Sequence, residues 1–193
     1  ARIVSIDVSA ARAADGVHGI VTAADIPGHN DIGPIFDGEP VLAHEVVDYV
    51  GAPVVAIGAE TFDQGMAAAA LIKIEYEELP AILEIEDALE AESYTYPPQI
   101  MSRGDPEGAI ADAAYRVSGE LRCGGQDHFY LESNIALAVP RDDGDLDVYS
   151  STQHPSEVQH GVAHTLGVPT NAVMVEIRRM GGGFGGKESQ PTI

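Results

Sequence analysis

Five glycines fill six positions, residues 181–186, broken only by Phe184, directly after a β-branched alternating run of Val173, Val175 and Ile177. So much glycine costs backbone entropy, and it belongs where φ must be positive or where a ligand approaches bare main chain. A flexible linker is the bland alternative, but linkers are Gly/Ser-rich and polar, and a lone Phe fits poorly there. Gly181, Gly183 and Gly186 spell the G-x-G-x-x-G of a dinucleotide fold, while Gly181, Gly186 and Lys187 spell the G-x-x-x-x-G-K of a P-loop. A P-loop needs Ser or Thr next, to bind Mg²⁺ through its hydroxyl. Here Glu188 follows, a carboxylate where phosphates would sit. The dinucleotide reading needs a βαβ unit with an acidic residue about 20 positions on. The sequence runs only to Ile193. The third reading is a loop whose backbone amides face some other oxygen-rich ligand.

Other candidate residues are weaker on spacing alone. Gln153 lies where a strand ends and a helix begins and reads first as a surface amide. Glu188 reads first as a helix-start carboxylate, favourable to the dipole. Asp127, His128, Tyr130 and Glu132 match no standard ligand spacing, so a structural role near a pocket floor is preferred. His160 and His164 share a helix face, but without H-E-x-x-H they read as an exposed or capped pair. The single Cys123 excludes an internal disulfide and leaves too few thiolates for a Cys-based zinc or iron–sulfur site. It is expected to be a buried small hydrophobe.

The elements that must position these residues read as α+β. Strands are expected at 1–9, 17–22 and 54–57, a helix at 60–70 capped by Thr61 or a neighbour, and a strand at 71–76. Residues 79–102 hold Pro80, Pro97 and Pro98, many acids and little periodicity, and read as a connector. A short helix then opens at Asp105-Pro106, with Pro106 at the first helical position. Tyr115 to Cys123 alternates as a strand. Two further strands flank the turn signal Arg141-Asp142-Asp143-Gly144. A helix over 155–166 carries Val158, Val162 and Leu166 on one face and stops at Gly167.

Charge bounds the partners. Thirty-one acids face ten bases, a net charge of −21, which argues against nucleic acid and anionic membranes. Ten of the acids crowd residues 60–92 with one Lys, and read as a solvated acidic face. No apolar run approaches the roughly 20 residues a bilayer span needs. No secretory signal is visible at the start, and a reducing, cytoplasmic setting is expected.

Three stretches together resemble one family. MGGGFGGKE (180–188), GGQDHFYLES (124–133) and SSTQHPSEVQ (150–159) are similar, in order, to motifs of the molybdenum-binding subunit of xanthine dehydrogenases. These belong to the molybdenum hydroxylases, with the aldehyde oxidases. The resemblance implies an α/β hammerhead domain over residues 1–80, a connector over 81–102, and the start of a molybdenum-cofactor-binding domain over 103–193. It implies hydroxylation of carbon next to nitrogen in purines, hypoxanthine and xanthine to urate, with water as oxygen source. An aldehyde or other N-heteroaromatic substrate, or a non-catalytic nucleotide-binding module, are the alternatives. It implies molybdenum-molybdopterin in the complete subunit, with 2Fe-2S and FAD on a partner domain or subunit, and a homo-oligomer. By the same resemblance, Glu188 faces the substrate and stabilises charge on the heterocycle; aldehyde oxidases carry an apolar residue there. Gln153 donates to an oxygen ligand of the metal, and the backbone amides around Phe184 and Gly185 face its apical oxygen. No protein side chain ligates the metal. The family's Gly-Glu-Pro-type motif, which carries its catalytic base, does not follow Glu188, so the sequence is expected to be an internal segment, inactive alone and without bound cofactor.

Overall fold

The computed structural model describes residues 1–33 and 35–188. The chain forms two compact units, one made of Ala1–Leu79 with Asp127–Ile193, the other of Pro80–Gln126.

The first half of the larger unit is built from two strand pairs and two helices. Strand β1 (Arg2–Asp7) pairs antiparallel with β4 (Lys73–Glu77), and β2 (Val17–Thr22) pairs antiparallel with β3 (Val55–Ala59). Helix α1 (Ser9–Arg12) joins β1 to β2, and α2 (Phe62–Ala69) joins β3 to β4. Thr61 caps α2 by accepting the Gln64 N–H, which satisfies one of the helix's free donors. The apolar faces meet around Ala11, Ile20 and Ala68, with Val17, Val55 and Ile57 packed against them. Alanine on both helices is what lets them lie close to the strands. In the long loop that follows β2, Asn30 exchanges two hydrogen bonds with the Leu42 main chain.

The second half of that unit is a three-stranded sheet, in order β5 (Ala136–Pro140), β6 (Leu146–Ser150), β7 (Val173–Glu176). The β5–β6 hairpin turns at Asp142–Gly144, where Asp143 and Gly144 both take positive φ, as the turn residues foretell. Helix α5 (Pro155–Leu166) crosses back over the sheet, so β6 and β7 run parallel. Val158 on the helix and Val148 and Val173 on the strands close the core; burying each is worth about 1.5–3 kcal/mol. The Gln159 side chain donates to the Val173 carbonyl at 2.7 Å and ties the helix to the start of β7. Asp147, buried in β6, is paired with Arg141.

Helix α5 ends on the first half of the unit. Gly167 takes φ 67° as the left-handed stop. The Gly28 and His29 N–H groups donate to the Thr165 and His164 carbonyls at 3.0 and 2.8 Å, satisfying acceptors that a helix end leaves free. A Cβ on Gly28 would run into the His164 carbonyl oxygen. Gly28→Ala is therefore expected to cost about 1–3 kcal/mol, read as a drop of several degrees in the unfolding midpoint. An unchanged midpoint would remove this junction from the account of stability.

The smaller unit holds α3 (Ile85–Glu90) and α4 (Pro106–Ala111). Asp105 caps α4 through the Gly108 N–H at 3.0 Å. One expectation, the strand over 115–123, fails here. Helix α3 forms inside the stretch read as connector, because Ile85 and Leu89 share a face and Glu86 and Asp87 favour its N-terminus. The alternating stretch 115–123 forms no strand, since no neighbouring strand among the described residues pairs with it. Cys123 in that stretch is accordingly exposed rather than buried. Among the described residues no helix is long and apolar enough to cross a membrane.

Candidate functional site

The site lies where β6 turns into α5 and the glycine loop folds back against that corner. At the corner stand Thr152, Gln153 and His154. The Thr152 hydroxyl donates to the Lys187 carbonyl at 3.0 Å and reaches the Glu188 carbonyl at 3.4 Å, while accepting the His154 N–H at 3.0 Å. The Gln153 N–H donates to the same Lys187 carbonyl at 2.7 Å. In return the Gly185 and Lys187 N–H groups donate to Gln153 Oε1 at 2.8 and 3.3 Å. Two N–H donors on one atom identify that atom as the carbonyl oxygen. The Nε2 group, on an exposed residue, has no partner among the described residues and stays free to donate outward.

Glycine is needed in this loop for two separate reasons. Gly182 and Gly185 take φ 83° and 98°. The others leave room for neighbours: a Cβ on Gly183 would strike the Gln153 side chain. The same holds for Gly181 against Glu132, and for Gly186 against His128 and Tyr130. His128, Tyr130 and Glu132 are the side chains laid on the glycines, and the backbone between the first two bends at Phe129, which takes φ 47°. Phe184 sits at the loop tip with φ 53° and is 75% exposed. Its N–H meets no acceptor among the described residues.

The structure thus brings Gln153, Gly185 and the main chain of Lys187 and Glu188 into one network. The Gly185 N–H is turned onto Gln153, so it serves to aim that side chain. The Glu188 side chain is exposed at the end of the network; the helix start expected after it lies outside the described residues. Sequence reasoning passed over Thr152, gave Tyr130 only a structural place near a pocket floor, and met Lys187 only as the lysine of a P-loop pattern. Thr152 is buried to 1% exposure, and its signal was the Ser-Ser-Thr-Gln-His-Pro corner itself, where a hydroxyl can accept from the residue two positions on.

Elsewhere, His29, Asp31 and Asp37 bring ligand atoms within 4.8 Å of one another. They line a cleft of about 570 Å³ with His164. Both Asp31 oxygens are already engaged, by the Gly33 and Gly38 N–H groups. His160 and His164, read from the sequence as an exposed or capped pair, are both exposed. A second cleft of about 240 Å³ runs past Glu132, Tyr149 and Arg178. Arg178 pairs with Glu176 at 2.7 Å and lies 5.1 Å over the Tyr149 ring. Its carboxylate partner raises its pKa further.

The parallel strand–helix–strand unit thus ends in a glycine loop, with an amide held at its strand–helix corner. A family model for the molybdopterin cofactor-binding domain matches residues 91–193, and one for the aldehyde oxidase and xanthine dehydrogenase a/b hammerhead domain matches residues 1–80. The chain belongs to the molybdopterin cofactor-binding domain family, with the hammerhead domain ahead of it. It is 45% identical to the xanthine dehydrogenase of Drosophila pseudoobscura pseudoobscura, over 98% of this chain. It is 42% identical to the xanthine dehydrogenase/oxidase of Gallus gallus, over 100% of this chain. The chain spans 14% of the length of these curated relatives. Quinoline 2-oxidoreductase from Pseudomonas putida 86 superposes with a TM-score of 0.81 at 32% identity, over 99% of this chain and 27% of that one.

Proposed function

We propose that the complete protein hydroxylates purines of the xanthine class, and that this segment supplies one wall of the site where cofactor and substrate meet. The observation that carries it is the fixed Gln153 amide, whose oxygen is held by two loop N–H groups while its nitrogen points outward. The residues fit the molybdenum–molybdopterin group: uncharged donors, Gln153 Nε2 and the Phe184 N–H, suit anionic oxygens on a metal. Glycine 183 leaves the space that the Gln153 side chain occupies. When bound, the cofactor supplies the two-electron redox chemistry. Gln153 and the loop tip orient it. Glu188, whose main chain ends the network, offers a carboxylate whose oxygens accept from ring N–H groups of a purine. Beside an aldehyde in an apolar slot the same carboxylate would only cost desolvation.

On this reading a partner domain or subunit, in a cytoplasmic homo-oligomer, would carry the 2Fe-2S and FAD groups that supply onward electron transfer. The test is xanthine oxidation by the complete molybdenum-loaded protein, followed as urate. Steady urate formation is expected. Turnover of quinoline-like heterocycles or aldehydes without urate favours the second reading, which the likeness to quinoline 2-oxidoreductase supports.

A further inference from the structure

Lys187 is the largest fully buried side chain among the described residues, at 0% exposure, and its Nζ has no hydrogen-bond acceptor there. Burying an ammonium without hydrogen bonds is costly. What it does have is an aromatic face: Nζ lies 4.8 Å from the centroid of the Tyr130 ring. A cation desolvated over a ring gains more than one in water. No ligand reaches this group, since the chain itself seals it, so it is no anion site. Its main chain tells what it is for. The Lys187 N–H holds Gln153 Oε1, and its carbonyl accepts from both Gln153 N–H and the Thr152 hydroxyl. Residue 187 is thus the point at which the glycine loop grips the strand–helix corner.

We infer that Lys187 is a positioning residue, whose sealed ammonium, seated on Tyr130, clamps the loop main chain and so sets the direction in which Gln153 donates. The anchor runs from the GGQDHFYLES stretch, through the ring, to the loop and then to the Gln153 amide. Tyr130 also leaves no room for a Cβ on Gly186 and crowds one on Gly182, so the same side chain lies against the loop at two of its glycines. The functional meaning of the aim rests on the purine-hydroxylase reading; the clamp itself does not.

The test separates the two. Hydrogen exchange of the amides of residues 183–188, followed by mass spectrometry in the complete protein, reads the clamp without any turnover. Lys187→Met keeps the length and removes the charge; Tyr130→Leu removes the ring; Tyr130→Phe keeps it. Lys187→Met and Tyr130→Leu are each expected to speed exchange of these amides by about tenfold, the size of a desolvated cation–π contact. The double variant should add little to either, because both break one contact. Tyr130→Phe should exchange as the unmodified protein does. Should Lys187→Met fail to fold, Tyr130→Leu against Tyr130→Phe carries the same comparison. Unchanged exchange in Tyr130→Leu, or equal acceleration in Tyr130→Phe and Tyr130→Leu, overturns the inference. In parallel, kcat on the turned-over substrate should fall in Lys187→Met with KM nearly constant. Loss of purine turnover in the unmodified protein, with the exchange pattern as expected, would discard the purine reading and keep the clamp.

Discussion

Gln153→Glu in the complete molybdenum-loaded protein is expected to lower turnover by roughly a hundredfold to a thousandfold, the usual loss when one preorganised donor is removed, while the glycine loop stays in place. The two ends of the Gln153 amide do different work. Its oxygen accepts the Gly185 and Lys187 N–H groups, and a carboxylate oxygen accepts them at least as well. The loop should therefore keep its conformation and its melting behaviour. Its nitrogen, the outward donor, becomes a second acceptor oxygen carrying negative charge. Toward anionic oxygens of a bound metal group, attraction would turn into repulsion. Gln153→Ala is the control. It removes both ends at once, so it should lose turnover and also loosen residues 183–188. The comparison to make is steady-state kcat beside loop hydrogen exchange for the two variants. Normal turnover in Gln153→Glu would mean that the outward nitrogen faces nothing that matters.

What the sequence discloses here follows from where its signals are local. The hairpin at residues 141–144, the Gly167 stop and the Asp105 cap are each written in a few adjacent residues. Their physics is local too, a positive φ or a side-chain oxygen over a free N–H. The stretch 115–123 alternates as a strand should, yet alternation only says that a strand would have two unlike faces. It does not supply the partner whose N–H and C=O groups must be met, and no partner is present among the described residues. Cys123 follows that failure into solvent. Helix α3 was overlooked for the opposite reason: in a run dense with acids, two apolar residues four apart are easily read as connector, though acids at its start stabilise it.

The site was legible to a different depth at each residue. Glycine density announced a loop with a purpose, and Gln153 and Glu188 could be singled out only through the likeness of three ordered motifs. Which atom of Gln153 is fixed, and by what, could not be read, because residues 152–154 and 185–188 meet across more than thirty positions of chain. Lys187 looked like the lysine of a phosphate loop. Burial over Tyr130 gives it another use, and its exclusion from solvent depends on packing that no spacing reveals.

Glu188→Gln is expected to lower kcat/KM for xanthine by about a hundredfold, as the loss of charge-assisted hydrogen bonds to a polar substrate implies, and to change aldehyde turnover by only a fewfold. Size and shape are nearly conserved, and the Glu188 carbonyl that Thr152 reaches is main chain, so the loop should not move. The change falls on the exposed side-chain oxygens alone. A carboxylate accepts at both oxygens and favours positive or protonated ring positions; an amide accepts at one end and donates at the other, so one of two contacts to a purine becomes a clash of donors. A small aldehyde offers no ring N–H to lose, so its rate is insensitive to that difference. The informative quantity is accordingly the ratio of the two kcat/KM values, measured in one preparation with molybdenum content matched. A fall of the ratio by about two orders of magnitude assigns Glu188 to purine recognition. Equal losses on both substrates would place its effect on the cofactor or the loop instead. Unchanged xanthine turnover would leave it an exposed carboxylate without a part in recognition, with purine specificity to be sought in other residues of the protein.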